Sequence, residues 1–205
     1  TQGSPQMANV ADIETGTFRT PDHDIHPIFP ARWSPRAMSG EPITRDELHR
    51  LLEAARWAPS SYNEQPWVFL YALRGTPNFD TFMGLLVDAN KAWASEAGAL
   101  LVVTTSTVFT MNGKPNPVAV FDAGSAWENL ALQASEMGLV AHGMAGFDAD
   151  AARKALSVPD DRAIPAMIAL GKPGEVGDLP EKLREMEQPS PRKAVSEISR
   201  EGGFA

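Results

Sequence analysis

From Ile43 to Ala58 the chain reads ITRDELHRLLEAARWA, and Leu48, Leu51, Leu52 and Ala55 fall at the i, i+3, i+4, i+7 spacing of one helix face. Thr44 with Glu47 three residues on forms a capping box at its start, and Pro59 closes it. The period then changes. WVFLYAL, residues 67–73, is short, aromatic and β-branched, and reads as a buried strand ended by the turn residues of RGTPN. Phe79, Phe82, Met83 and Leu86 give a second helix face, predicted to run on toward Trp93, before ALLVVTTS at 99–106 returns to an interior strand. Ala123, Trp127, Leu130 and Ala134 place a long helix across 118–137, with Gly138 as its left-handed stop. LVAHGMAGF reads as a strand turning into a loop, Asp148 caps a short helix through Leu156, and AIPAMIALG is a last buried strand.

The two ends lack such order. Residues 1–30 are polar and proline-bearing with no sustained period, which predicts an arm that orders only against another surface. Met7 behind TQGSPQ reads as a native start after an expression scar at 1–6. Residues 31–171 form the expected domain. Residues 172–205 carry prolines at 173, 180, 189 and 191 and one modest helical patch around EKLREME, so they are expected to wrap the domain or a partner.

Composition narrows the function. A chain of 205 residues with 43% apolar content can bury one sizeable core. A formal charge of −8 argues against a protein that neutralises a phosphate backbone, so nucleic acid is not an expected partner. No cysteine is present, which removes thiol nucleophiles, thiolate metal sites and disulfides. No apolar run approaches the roughly 20 residues a membrane helix needs, and the start lacks a secretory pattern, so no membrane partner is expected and the cytoplasm is the default.

Neither a Walker loop nor a G-x-G-x-x-G turn occurs, so any bound phosphate has to be held by side chains. Arg32, Ser34 and Arg36 alternate, and an extended segment puts all three on one side, where two guanidinium forks flank a hydroxyl. Two surface arginines beside a helix start fit the same spacing. Ser60, Ser61 and Asn63 stand between Pro59 and Pro66, which are expected to hold the stretch extended, and these residues also serve as ordinary turn formers. His23, Asp24 and His26 lie close together but in the arm, without the support a metal site needs, and no metal is expected. His49 falls on the polar side of the first helix. His142, beside Gly143 and Gly146, reads as a satisfied core histidine or as a place where backbone approaches a flat ligand. No serine sits in a nucleophile elbow. What remains is chemistry carried by a bound cofactor.

Taken together, RWSPR, LLEAARWAPSSYNEQPWVF, NKAWASEAGALLVV, GSAWENLALQASEMGLVAHGMAGFD and the late PSPRK resemble the nitroreductase family of flavin enzymes over about residues 32–193. The resemblance implies an α+β fold with a mixed, largely antiparallel sheet flanked by helices, and an intertwined homodimer holding FMN at each subunit interface. It implies that Arg32, Ser34 and Arg36, with Trp33 among them, meet the phosphate and pyrimidine end of FMN, joined by Arg192 from the tail. Pro59, Ser60, Ser61 and Asn63 would reach the flavin from the partner subunit. Asn90 would face the pyrimidine edge, and the loop of Gly143, Met144, Ala145 and Gly146 would lie near the reactive N5.

The implied activity is ping-pong reduction of a nitroaromatic, quinone or other small electrophile by NADH or NADPH, with no protein acid or base needed for the hydride step. This chain departs from well-known members at Asp122, Trp93, Ala145 and Ser190, where glutamine, lysine, glutamate and lysine occur; Trp93 is expected to pack under the second helix. Three other readings stay open at this point. They are a flavin-storing or sensing protein with little turnover, a specialised member that dehydrogenates, dehalogenates or fragments flavin, and a metal binder using the N-terminal histidines.

Overall fold

The computed structural model describes residues 8–204; the sequence reading of 1–6 and Met7 lies outside them. The arm closes with a four-residue helix, α1 (Ile28–Ala31), and leads to α2 (Arg45–Arg56). Strand β1 (Trp67–Leu73), helices α3 (Pro77–Leu85) and α4 (Asp88–Ala94), strand β2 (Ala99–Ser106) and the long helix α5 (Ala119–Glu136) follow. Then come β3 (Val140–Met144), α6 (Ala149–Ala155) and β4 (Arg162–Gly171), with short helices α7 (Glu181–Arg184) and α8 (Val195–Ile198) in the tail.

The strands form one sheet in the order β1-β2-β4-β3, antiparallel at every pairing. The fold is α+β, as expected. Strand β2 explains the layering through its period of two. Leu100 and Val102 point into a core layer with Phe79, Phe82 and Trp93 of α3 and α4. Leu101 and Val103 point the other way, onto Leu48 and Leu51 of α2 and Leu130 of α5. A strand apolar on both faces needs a cover on both, which is why β2 reads as a continuous hydrophobic run. Trp93 is a packing residue here, buried to 3% exposure.

Helix starts follow their caps. The Thr44 hydroxyl accepts from the Glu47 amide at 3.1 Å while the Glu47 carboxylate accepts from the Thr44 amide at 2.6 Å. Those bonds hold the Glu47 carboxyl below its ordinary pKa. Asp148 caps α6 by accepting from the Ala151 amide at 2.8 Å, and Gly138 ends α5 at φ 66°.

Three sequence expectations need correction. The helix predicted from Phe79 toward Trp93 is two helices, because Leu86 and Val87 turn extended. Their backbone pairs with the loop after β3: Leu86 bridges Phe147, and the Val87 amide donates to the Gly146 carbonyl at 3.1 Å. The apolar pattern ran through the break because Leu85, Leu86 and Trp93 all remain in the core. Gly143 and Met144 belong to strand β3, paired with Ile168 and Met167, and only Ala145 and Gly146 are loop. Strand pairing with β4 absorbs the first two because Met144 supplies a core side chain.

The stretch between Pro59 and Pro66 is a tight turn, not an extended run. Tyr62, Asn63 and Gln65 take φ of 53°, 55° and 49°. Proline fixes its own φ and biases the residue before it, which leaves residues 60–64 free to turn. Gln65 turns left-handed against that pre-proline bias. Left-handed non-glycine residues cost about 1–3 kcal/mol each, so local propensity alone does not hold this loop.

The two chain ends meet. The Val10 amide donates to the Gly174 carbonyl at 3.0 Å, and the Asn9 side chain donates to Glu175 at 3.0 Å. Gly174 also donates to the Ala37 carbonyl at 3.0 Å, and a Cβ there would stand 2.5 Å from the Met38 backbone. Only glycine allows the segment after Arg36 to lie this close to the tail. The segment is thereby fixed against β4 and its continuation.

Candidate functional site

Residues 32–37 belong to no helix or strand, and Arg32, Trp33, Ser34 and Arg36 all line one cavity of about 330 Å³. Arg192 and Ser190 come to it from the tail, His142 from β3, and Arg19 from the arm. The structure thus brings together four of the predicted residues with Arg192, through contacts spanning nearly the whole chain.

Glu187 organises the Arg36 side of this cavity. Its carboxylate is fully buried and accepts from the amides of Arg36 and Ala37, the latter at 2.8 Å. Its other oxygen lies 3.6 Å from the Arg36 guanidinium and has no hydrogen-bond partner among the described residues. A buried carboxylate is tolerable only with such company. On the opposite side Arg32 Nε stands 3.2 Å from Glu128 of α5, an ion pair by distance. The alignment is poor, and that buried nitrogen makes no hydrogen bond among the described residues.

His142 closes the wall nearest the sheet. Its Nδ1 lies 3.0 Å from the Pro35 carbonyl, which can only accept, so the proton sits on Nδ1. The ring packs on Trp93 with centroids 4.6 Å apart. Burial first, and the nearby Arg36 charge after it, push its pKa below the ordinary histidine value.

Asn90 stands one turn before Trp93 on α4 and donates from Nδ2 to the Gly146 carbonyl at 3.0 Å. A Cβ on Gly146 would approach that nitrogen to 2.7 Å, so glycine is required for the clamp. Gly143 faces α5 less tightly, with a would-be Cβ 3.3 Å from the Trp127 ring. The side chain of Met144 is committed to the core.

The loop of Pro59, Ser60, Ser61 and Asn63 does not line the arginine cavity of its own chain. It packs at the start of α5, where buried Asp122 accepts from the Ser61 amide at 3.1 Å, and the Ser60 hydroxyl accepts from the Gln65 amide at 2.9 Å. Six residues of helix separate Asp122 from Glu128, about 9 Å along the axis. The loop and its surroundings present Tyr62, Phe121 and Trp57 outward at 82%, 77% and 70% exposure.

The charge balance of the cavity favours an anion. Arg19, Arg32, Arg36 and Arg192 line it, and two carboxylates, Glu187 and Glu128, pair with them. The two uncompensated positive charges match the roughly −1.5 to −2 of a phosphate monoester near neutral pH. Arg32 Nε pairs with Glu128 by charge but makes no hydrogen bond among the described residues, so that pair is a loose one.

The sequence profile of the Nitroreductase family matches residues 30–76 and 81–172. The chain belongs to the nitroreductase family. A solved structure described as an oxidoreductase containing FMN is 38% identical, covers 91% of this chain and 96% of its own, and superimposes with a TM-score of 0.87. Protein DrgA of Synechocystis is 32% identical over 170 residues, 69% of this chain and 79% of DrgA. A protein of Archaeoglobus fulgidus, named as a candidate NADH dehydrogenase/NAD(P)H nitroreductase, is 27% identical over 72% of this chain and 84% of its own.

Within this nitroreductase-family fold, sequence reasoning missed Arg19, Glu128 and Glu187. Glu187 stands two residues before Pro189 in EMEQPSPR, where nothing in the local pattern separates it from its charged neighbours. Arg19 belongs to a segment without periodicity. Neither His23 nor His26 gathers further ligands: no group of three or more metal-binding side chains occurs among the described residues. No helix among them is long and apolar enough to cross a membrane.

Proposed function

We propose that the chain is an FMN-dependent oxidoreductase that uses NADH or NADPH to reduce a small electrophile such as a nitroaromatic or a quinone. The observation that carries this reading is the arginine cavity, whose surplus of two positive charges suits the phosphate of a mononucleotide. The FMN-containing relative and the family match support the same cofactor. The name of the Archaeoglobus relative supports NAD(P)H as the donor. Such a donor is drawn from cytoplasmic pools, which supports that compartment.

When bound, FMN supplies the hydride and electron chemistry. The residues of this chain hold and polarise it. Arg32, Ser34 and Arg192 would grip the phosphate. Arg36 would face the pyrimidine end, where a guanidinium favours negative charge, and Glu187 offsets part of that effect by pairing with it. Asn90, whose Nδ2 is committed to Gly146, keeps its Oδ1 to accept from a ring N–H. Ala145 and Gly146 would lie along the ring edge, while Gly143 and Met144 support them from β3.

Tyr62, Phe121 and Trp57 each stay largely exposed in a single chain, a cost that calls for a cover. We read that cover as the contact with a second copy, so that the strained loop at 59–63 of one subunit reaches the site of the other. Trp93 and Asp122 then have structural roles, one under His142 and the other beneath the loop.

The test is an absorbance spectrum of the purified protein followed by anaerobic NADH or NADPH. Flavin bands that bleach support the enzyme; bands that persist leave a flavin carrier; their absence defeats the cofactor assignment. Arg32→Ala should weaken FMN binding roughly 10- to 150-fold, from the roughly 1.5–3 kcal/mol of a charge-assisted hydrogen bond. Unchanged affinity would remove Arg32 from the phosphate site.

A further inference from the structure

Arg19 comes from TGTFRTPD, thirteen residues before Arg32, yet it lines the same cavity as Arg32, Ser34, Arg36 and Arg192. Its side chain is held on three carbonyls. Nε donates to Ser190 at 2.9 Å, and Nη1 donates to Pro30 at 3.0 Å and to Arg32 at 2.6 Å. A guanidinium has five N–H donors, so both hydrogens of Nη2 remain without a partner among the described residues.

Those three carbonyls belong to three different pieces of the site: the end of the arm, the start of the arginine segment and the tail. Arg19 therefore fastens them to one another with one end of its fork and leaves the other end available. Among the described residues, no carboxylate lies within ion-pair distance of Arg19 or of Arg192, and Arg192 spends only Nη1, on Ser190 and Pro191. Burial, with the charges of Arg192 and Arg32, pulls the Arg19 pKa down. Like charges gathered in a partly desolvated cleft raise the free energy of the empty arrangement, and an anion among them lowers it. A plain staple between loops has no need of a charge in that position.

We propose that Arg19 is a further phosphate-binding cation of this site, and that capture of a phosphoryl group there clasps the N-terminal arm to the C-terminal tail. The inference rests on the cofactor reading above and adds to it the residue, the arm and the conformational consequence. The ligand chemistry is a phosphate dianion, whether carried by a flavin or free.

The experiment compares FMN with riboflavin, which lacks the phosphate, on flavin-stripped full-length protein and its Arg19→Gln and Arg19→Lys variants. Arg19→Gln should lower FMN affinity about tenfold or more while riboflavin affinity changes less than about twofold, and Arg19→Lys should recover part of the loss because it restores the charge but not the fork. In the unaltered protein, FMN and inorganic phosphate should protect the arm from proteolysis and riboflavin should not; in Arg19→Gln neither should protect. Equal loss of both flavins, or no loss of either, makes Arg19 a structural staple and overturns the proposal while the cofactor reading stands. Unaltered protein that takes up neither flavin defeats the cofactor reading; phosphate protection of the arm that Arg19→Gln abolishes would still support the clasp, and its absence would overturn the clasp as well.

Discussion

Helix α5 carries two dissimilar surfaces about two turns apart. Around Glu128 the chain has built a charged cleft from its own arm, tail and arginine segment, with two of its four arginines paired to carboxylates. Around Asp122 the same helix supports a strained loop and shows Phe121 and Tyr62 to solvent. The first region is close to complete in one chain. The second is not: its aromatic rings stay exposed, and its left-handed residues are held against their cost by Asp122 and Ser60. If a second copy binds as proposed above, this exposed half is the one it would complete.

Glu187→Ala should have the largest effect on that contrast, because it strips the charged half of its organiser. Two backbone amides and Arg36 lose their partner, and breaking a buried pair costs about 3–5 kcal/mol. Urea unfolding should report the loss, with FMN uptake falling alongside. Phe121→Asp attacks the other half: the dimer should dissociate at concentrations about 30-fold higher or more, as for a contact worth about 2–4 kcal/mol, while the monomer keeps its circular dichroism. Sedimentation that shows an unchanged dimer would move the interface elsewhere.

Asp122→Ala should cost less, about 1.5–3 kcal/mol of loop ordering, seen as faster proteolysis between Ser60 and Gln65. The smallest effect concerns His142. Burial lowers its folded pKa, so the unfolded chain takes up the proton first as pH falls. Its contribution is therefore complete above a pH of about 6.5 and declines below it toward the folded value. Thermal midpoints should show a shallow drop over that window, flattened in His142→Gln.

The elements with strong periodicity were legible. Thr44 with Glu47, the alternation in β2 and the spacing along α5 each state their own answer, because one face of each must be buried. The break at Leu86 was not, since the core continues through it and the cause, pairing with residues 146–148, is sixty residues away. The turn at Tyr62 was hidden in the same way: Asp122 and Ser60 hold it, and proline spacing says nothing of either. Arg32, Ser34 and Arg36 could be seen as a set from their alternation. Arg19 and Glu187 could not, because their value comes from where the two ends of the chain meet.

That meeting has a consequence for the order of assembly. Asn9 and Glu175 are 166 residues apart, and Arg19 and Ser190 are 171 apart. Joining such distant points in an open chain costs about 4–5 kcal/mol in the logarithmic closure term alone. Strands β1 and β2 are nearer in sequence and carry the apolar surface that makes early pairing worthwhile. A sheet that formed first would shorten the effective separation of the ends, and arm and tail would join afterwards. A flavin arriving during refolding would meet a finished sheet with an open mouth, so the rate of cofactor uptake should follow the slowest step of folding rather than the fastest.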